Sequence, residues 1–284
     1  MRLLTFRRKS AKCRARLRLR GYGFRFPDKT EGGNVKLLLL AMLPLAAVAL
    51  AAVALAAAPS KTSIVLVHGA FADASGWSKI IPILERDGYY VTAVQIPLTS
   101  LADDVATTKR VLDAQKDPVV VVGHSYGGAV ITGAAAGNKN VKSLVYVAAF
   151  APDDNEPLGA AGSKFAAPPL NAVLVPDSAG FLYIDRAKFH EDFCKDLPES
   201  DARVMAATQK PLHKSAFEAA VPIAAWKTIP TWYIVSSNDR AINPDLERFY
   251  AKRANATTTE IASSHVPFLS HPKEVAKIIE AAAK

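Results

Sequence analysis

The sequence predicts an α/β domain built on a mostly parallel central sheet, with helices on both faces and an inserted cap. Three observations carry the prediction. Short apolar runs alternate with stretches of helical spacing from residue 63 to 147, and again from residue 231 onward. One of those runs, Val119–Val122, is continuous valine: too short for a helix, too apolar for an exposed edge, and therefore a strand buried on both faces. Half of the 284 residues are hydrophobic and 21% are charged, which supports a large core and excludes a disordered chain.

The elements follow in order. Ser63–Val67 reads as the first strand, a helix is expected from about Trp77 to Arg86, and Tyr90–Val94 as the second strand. Leu101–Gln115 has helical spacing, with Ser100 placed to cap its amino end and Asp103 at the third helical position. After Val119–Val122 come small, helix-compatible residues at 126–136, then a strand at Ser143–Val147. The alternation breaks at 151–215, which is rich in Pro, Phe and acidic residues and shows no clear strand; this is the expected cap, an insertion over the sheet edge. Thr231–Ser236, a helix near Pro244–Arg253, Thr257–Ile261 and a last helix from Pro272 complete the domain, expected at 59–284.

Residues 1–58 are set apart as a leader. They include an uncharged run, LLLLAMLPLAAVALAAVALAAA, from Leu37 to Ala58, preceded by Lys36. A positive charge, an apolar stretch and small residues at Ala54 and Ala56 predict a signal peptide cleaved near Ala56, hence a secreted or periplasmic protein with no membrane contact in its mature form. The alternative is an amino-terminal membrane anchor, since about 20 apolar residues can span a bilayer. Arg7-Arg8 lie too far upstream for a twin-arginine signal, and translation starting at Val35 or Met42 would give a signal of ordinary length. Residues 1–36 hold 12 Lys and Arg against two acids, leaving 23 basic and 24 acidic residues for 37–284. The net charge of +9 thus belongs to the leader, and nucleic acid is not an expected partner. Two cysteines, Cys13 and Cys194, exclude a disulfide scaffold and a multi-cysteine zinc site; Cys194 reads as a packing residue.

The sharpest local signal is Gly123-His124-Ser125-Tyr126-Gly127, directly after the valine run and opening a helix of small residues. This context puts Ser125 on a tight strand-to-helix turn with its hydroxyl above the sheet, as a nucleophile. Gly123 and Gly127 are required there because side chains would strike the neighbouring strand and helix. Serine needs a base. Of histidines 68, 124, 190, 213, 265 and 271, His265 lies in the loop after the last strand, at the same carboxyl edge as Ser125. His68 ends the first strand and is expected to brace a loop, and His124 to point away from the turn. Asp239, in the loop after Thr231–Ser236, is placed to orient His265, in the chain order Ser, Asp, His. Its rivals are Asp153 and Asp154, read otherwise as solvated loop carboxylates. The oxyanion needs two backbone N–H donors: that of Tyr126, and one from Ala70 or Phe71, which the sequence does not separate.

With these residues in view, HGAFADASGW at 68–77, GHSYGG at 123–128, VYVAAFAPD at 145–153, the strand–NDR element at 234–240 and SSHVPFLSHP at 263–272 resemble the α/β-hydrolase superfamily. Within it the chain resembles the small serine esterase branch that includes plant methylesterases and hydroxynitrile lyases. The resemblance covers 62–284. It implies the α/β-hydrolase fold, the cap, and Ser-His-Asp chemistry with neither metal nor organic cofactor. The lyases place a lysine directly after the catalytic histidine; here that position is Val266, which favours hydrolysis.

The expected activity is cleavage of small, uncharged carboxylic esters through an acyl-enzyme. Lactone hydrolysis, peracid formation and carbon–carbon bond hydrolysis run on the same constellation, and a ligand-binding member of the fold without turnover is the alternative of a different class. Phe71, Trp77, Phe150, Phe165 and Phe181 are candidates to line an apolar pocket. The oligomeric state is left open.

Overall fold

The computed structural model describes residues 62–284. The leader lies outside the described residues, and with it the cleavage site, the alternative anchor and Cys13.

Six parallel strands form the central sheet: β1 (Ser63–Val67), β2 (Tyr90–Val94), β3 (Val119–His124), β4 (Val141–Val147), β8 (Thr231–Ser236) and β9 (Thr257–Ile261). Their order across the sheet is β2-β1-β3-β4-β8-β9. Every residue of β1 and β3 is buried. Successive side chains of a strand face opposite sides, so both faces of the sheet are covered there. The edge strands β2 and β9 are largely exposed or half-buried, as edges are.

The flanking helices are α1 (Ile81–Arg86), α2 (Leu101–Asp113), α3 (Tyr126–Ala134), α6 (Pro244–Arg253), α7 (Pro267–Ser270) and α8 (Pro272–Ala282). Helix α3 packs on β1, β3 and β4 and against α2, while α8 packs on β3, β4 and β8. Ser100 caps α2 by accepting the Asp103 N–H at 3.1 Å, the geometry its sequence predicts. The helix expected at 77–86 is instead a 3₁₀ turn, Ala74–Lys79, followed by α1. Pro82 explains the break, because a residue without an N–H is accepted in the first turn of a helix but not in its interior.

Between β4 and β8 the chain forms the cap. Here the expectation of no strand is corrected: β5 (Leu174–Pro176), β6 (Phe181–Ile184) and β7 (Leu212–His213) make an antiparallel three-stranded sheet. Three residues ending in proline, and two residues paired to a segment about 30 positions away, carry no alternation that a sequence window can register. Helices α4 (Arg186–Phe193) and α5 (Glu199–Thr208) lie between β6 and β7. The base of the insertion is drawn together by a bridge between Pro157 and Ala220 and by the Asn155 N–H donating to Val221. The structural cap therefore closes a few residues inside 151 and a few beyond 215.

Candidate active site

The order of strands reverses between β1 and β3, and ligands of open parallel sheets collect at the carboxyl ends beside such a reversal. Ser125 sits there, between β3 and α3, with φ 53° and ψ −124°. A non-glycine residue at positive φ is strained. The strain is held by a ring of backbone hydrogen bonds: the Ser125 N–H donates to Val147 at 3.1 Å, and its carbonyl accepts from Gly128 at 3.0 Å and Phe150 at 3.1 Å. The flanking glycines are required by space. A Cβ on Gly123 would lie 2.6 Å from the Gly127 carbonyl oxygen, and one on Gly127 would lie 2.6 Å from that of His68.

The loop after β8 brings Asp239 to the same edge, and the loop after β9 brings His265. The two loops are zipped together: Ser237 N–H donates to Ile261 at 2.9 Å and Asn238 N–H to Ser263 at 3.1 Å. Asp239 Oδ1 accepts the N–H groups of Ala241 at 2.6 Å and Ile242 at 3.0 Å, which fixes its carboxyl plane. Its Oδ2 accepts from His265 Nδ1 at 2.5 Å. Because the carboxylate can only accept, the proton of the neutral ring sits on Nδ1 and Nε2 is free to act as a base. Both residues are buried, at 6% and 1% exposure, so this pair works in a weak dielectric. His265 and Ser125 line one cavity of about 50 Å³.

The rival carboxylates are elsewhere. Asp153 and Asp154 both pair with Lys227, and Asp154 also accepts the Ala224 N–H, at the base of the cap. His68 is the loop brace the sequence suggests: Nδ1 donates to the Gly69 carbonyl at 2.8 Å and Nε2 accepts the Ile96 N–H at 3.2 Å. Burial pushes its pKa down to about 4 and keeps the ring neutral.

His124 has a partner that the sequence did not suggest: its ring centroid lies 4.6 Å from that of His265, and its Nε2 donates to the His265 carbonyl at 2.9 Å. It ties the loop carrying the expected base to the end of β3. Sequence adjacency to Ser125 hid this, since the partner is 141 positions away.

The two expected oxyanion donors differ in their hydrogen bonding. The Phe71 N–H, at φ 61°, donates to the Lys210 carbonyl at 2.9 Å, whereas the Ala70 N–H has no hydrogen bond among the described residues. Tyr126 is the first residue of α3, so its N–H has no partner within the helix. Its hydroxyl donates to Asp104 at 2.6 Å, and Asp104 also accepts the Leu98 N–H at 2.7 Å. Burial raises the pKa of both side chains, so the phenol stays protonated and holds the start of α3 in place.

Six residues of the small cavity, Phe150, Asn171, Leu174, Phe217, Ala241 and Ile242, also line a larger chamber of about 530 Å³ under the cap. That volume suits a small organic molecule, and the lining is mainly apolar. Of the aromatic candidates, Phe71, Phe150 and Phe165 do line these cavities. Trp77 instead packs against Phe268, centroids 4.5 Å apart, and Phe181 against His213 at 5.1 Å. Phe193 and Phe217 are lining residues the sequence did not single out. Cys194 is buried, with its thiol pushed up to about 12 by burial, in keeping with a packing role.

Comparison with known proteins agrees with this architecture. The chain is 24% identical over 245 residues to a protein named probable hydrolase R7 from Phoma sp., covering 78% of this chain and 97% of that one. It is 25% identical over 240 residues to methylesterase 8 of Arabidopsis thaliana, covering 75% and 86% respectively. Among solved structures, polyneuridine aldehyde esterase superposes with a TM-score of 0.68 at 20% identity, covering 78% of this chain and 99% of that one. The sequence model described as alpha/beta hydrolase family matches residues 64–278, and the chain is a member of that family.

Proposed function

We propose that the protein is a serine carboxylesterase acting on small, uncharged esters. One observation carries the reading: His265 is locked to Asp239 at 2.5 Å and shares a cavity with Ser125, a serine held at φ 53° on a strand-to-helix turn. In this reading His265 Nε2 takes the Ser125 hydroxyl proton as Oγ attacks the ester carbonyl carbon. The resulting oxyanion is stabilised by the N–H groups of Tyr126 and Ala70, each such donor being worth about 3 kcal/mol. The imidazolium, steadied by Asp239, gives its proton to the departing alkoxide, leaving an acyl-enzyme and an alcohol. Water, deprotonated by His265, then releases the acid and restores Ser125.

The mainly apolar chamber beside the cavity favours uncharged acyl or alkyl groups. Val266, fully buried directly after His265, offers no charge to hold a cyanide leaving group, which favours hydrolysis over lyase chemistry. The apolar leader supports export to the periplasm or medium.

The test is turnover of p-nitrophenyl esters from acetyl to decanoyl. We expect multiple turnovers with a short-chain optimum, and a fall of about 10³-fold or more in kcat for Ser125→Ala. A folded Ser125→Ala protein with near-full activity would refute the assignment.

A further inference from the structure

Helix α6 presents Leu246, Glu247, Tyr250 and Ala251 to the interior, so a carboxyl side chain stands among apolar ones on its buried face. Glu247 has no solvent exposure. Its Oε2 accepts the N–H of Ser236, the last residue of β8, at 3.0 Å. Its Oε1 finds no donor among the described residues. The same Ser236 accepts the Asp239 N–H at 3.1 Å, which brings the two buried carboxyls together, and the Asp239 carboxyl is the neighbouring group that acts on Glu247 most strongly.

Two carboxylates buried side by side cannot both be ionised, and two acceptors bond only if a proton lies between them. The surroundings decide which one carries it. Asp239 accepts two backbone N–H groups and the His265 ring N–H, and all three favour its charged form. Glu247 accepts one backbone N–H. The other groups acting on Glu247 are Arg248 beside it on α6, a weak opposing influence, and Tyr233 on β8, whose buried phenol is neutral. Burial first, and the Asp239 charge second, push the Glu247 pKa well above the usual carboxyl range.

We propose that Glu247 is a positioning residue of the site, donating a carboxyl proton to Asp239 and so holding the aspartate that orients His265. The donated bond fills the remaining acceptor position of Asp239 and drains part of its charge. Without that donor, Asp239 would hold the imidazolium more strongly and the base would lose its proton only at higher pH.

The inference rests on the esterase reading above, so its tests are chosen to be separable from substrate turnover. The full-length protein, Glu247→Gln and Glu247→Met are compared by infrared spectroscopy for a protonated carboxyl carbonyl band, and by the rate at which a fluorophosphonate labels Ser125 across pH. We expect the band at neutral pH in the wild type and its loss in Glu247→Gln. The glutamine amide can still donate to Asp239, so labelling by that variant should stay within about threefold of wild type. Glu247→Met, which cannot donate, should label on the order of 10-fold more slowly, the usual cost of losing an outer partner of a functional group. Its acid limb should move up by about one pH unit. Absence of the infrared difference overturns the proposal. So does a folded Glu247→Met with the wild-type rate and pH profile. If Glu247→Met does not fold, the band and the rescue by glutamine decide. If no ester is turned over while the band and labelling behave as stated, the esterase reading fails and the role of Glu247 stands.

Discussion

At Ser125 backbone strain accompanies the nucleophilic role proposed for its side chain. Its φ of 53° and ψ of −124° lie where an L side chain is strained, at a cost of order 1–3 kcal/mol. The surrounding backbone bonds to Val147, Gly128 and Phe150 enforce that geometry whatever the side chain. Glycine adopts it without strain. Ser125→Gly is therefore expected to raise stability by about 1 kcal/mol, less the extra chain entropy glycine brings to the unfolded state, while abolishing labelling and turnover. Urea unfolding of the two proteins tests it; an equal or lower midpoint for the glycine variant would show that the strain is no larger than the chain entropy glycine adds. The opposite exchange, Gly127→Ala, drives a methyl to 2.6 Å from the His68 carbonyl oxygen. Both partners are backbone, so relief requires β1 and α3 to separate, and a loss of several kcal/mol is expected in the same measurement.

At the scale of elements, the cap is fastened to both loops that carry the proposed triad. Arg240, next to Asp239, bonds the buried Asp192 of α4 at 2.8 Å. Ser264, next to His265, gives its N–H at 3.0 Å and its hydroxyl to Asp196, just after α4. The cap and these two loops should thus be coupled. Asp196→Ala removes a charged acceptor for two donors, and losing a charge-assisted bond of about 1.5–3 kcal/mol should lower the Ser125 labelling rate roughly 10-fold. Labelling at the wild-type rate would show the loops to be rigid without the cap. How much was legible in the sequence follows from the same distinction between local and distant partners. The turn at Ser125 is written in five consecutive residues, and Asp239 and His265 each follow a recognisable strand. That the Phe71 N–H is taken by the carbonyl of Lys210, far along the chain, while that of Ala70 is not, was not readable. The cap sheet was hidden because its strands are too short to show a period. Glu247 was missed because an acid near the start of a helix ordinarily reads as a solvated charge favoured by the helix dipole; the sign was its place among Leu246, Tyr250 and Ala251 on the buried face.

For the molecule as a whole, the buried ionisable groups set opposing dependences of stability on pH. His68 has a folded pKa of about 4 against an ordinary value of 6.5, and His124 is also pushed well down, chiefly by burial. The unfolded chain then binds more protons than the folded one between these values. Their contribution is fully present above pH 6.5 and is lost as pH falls toward 4, with His68 alone accounting for up to about 3 kcal/mol. Glu247 acts in the other direction. Its folded pKa is raised well above 4.5, so the folded state holds a proton the unfolded chain has released, and its contribution declines as pH rises above 4.5. Variants that remove one group at a time separate the two. His68→Asn should be destabilised relative to wild type at pH 7.5 through its altered bonds to Gly69 and Ile96, and that deficit should shrink as pH falls from 6.5 toward 4. Relative to wild type, Glu247→Gln should gain steadily as pH rises from 5 to 8. Urea unfolding at intervals across that range provides both differences. A Glu247→Gln difference that does not change with pH would mean that Glu247 is ionised in the folded protein, and a His68→Asn difference that does not change would mean that the His68 ring is charged when buried.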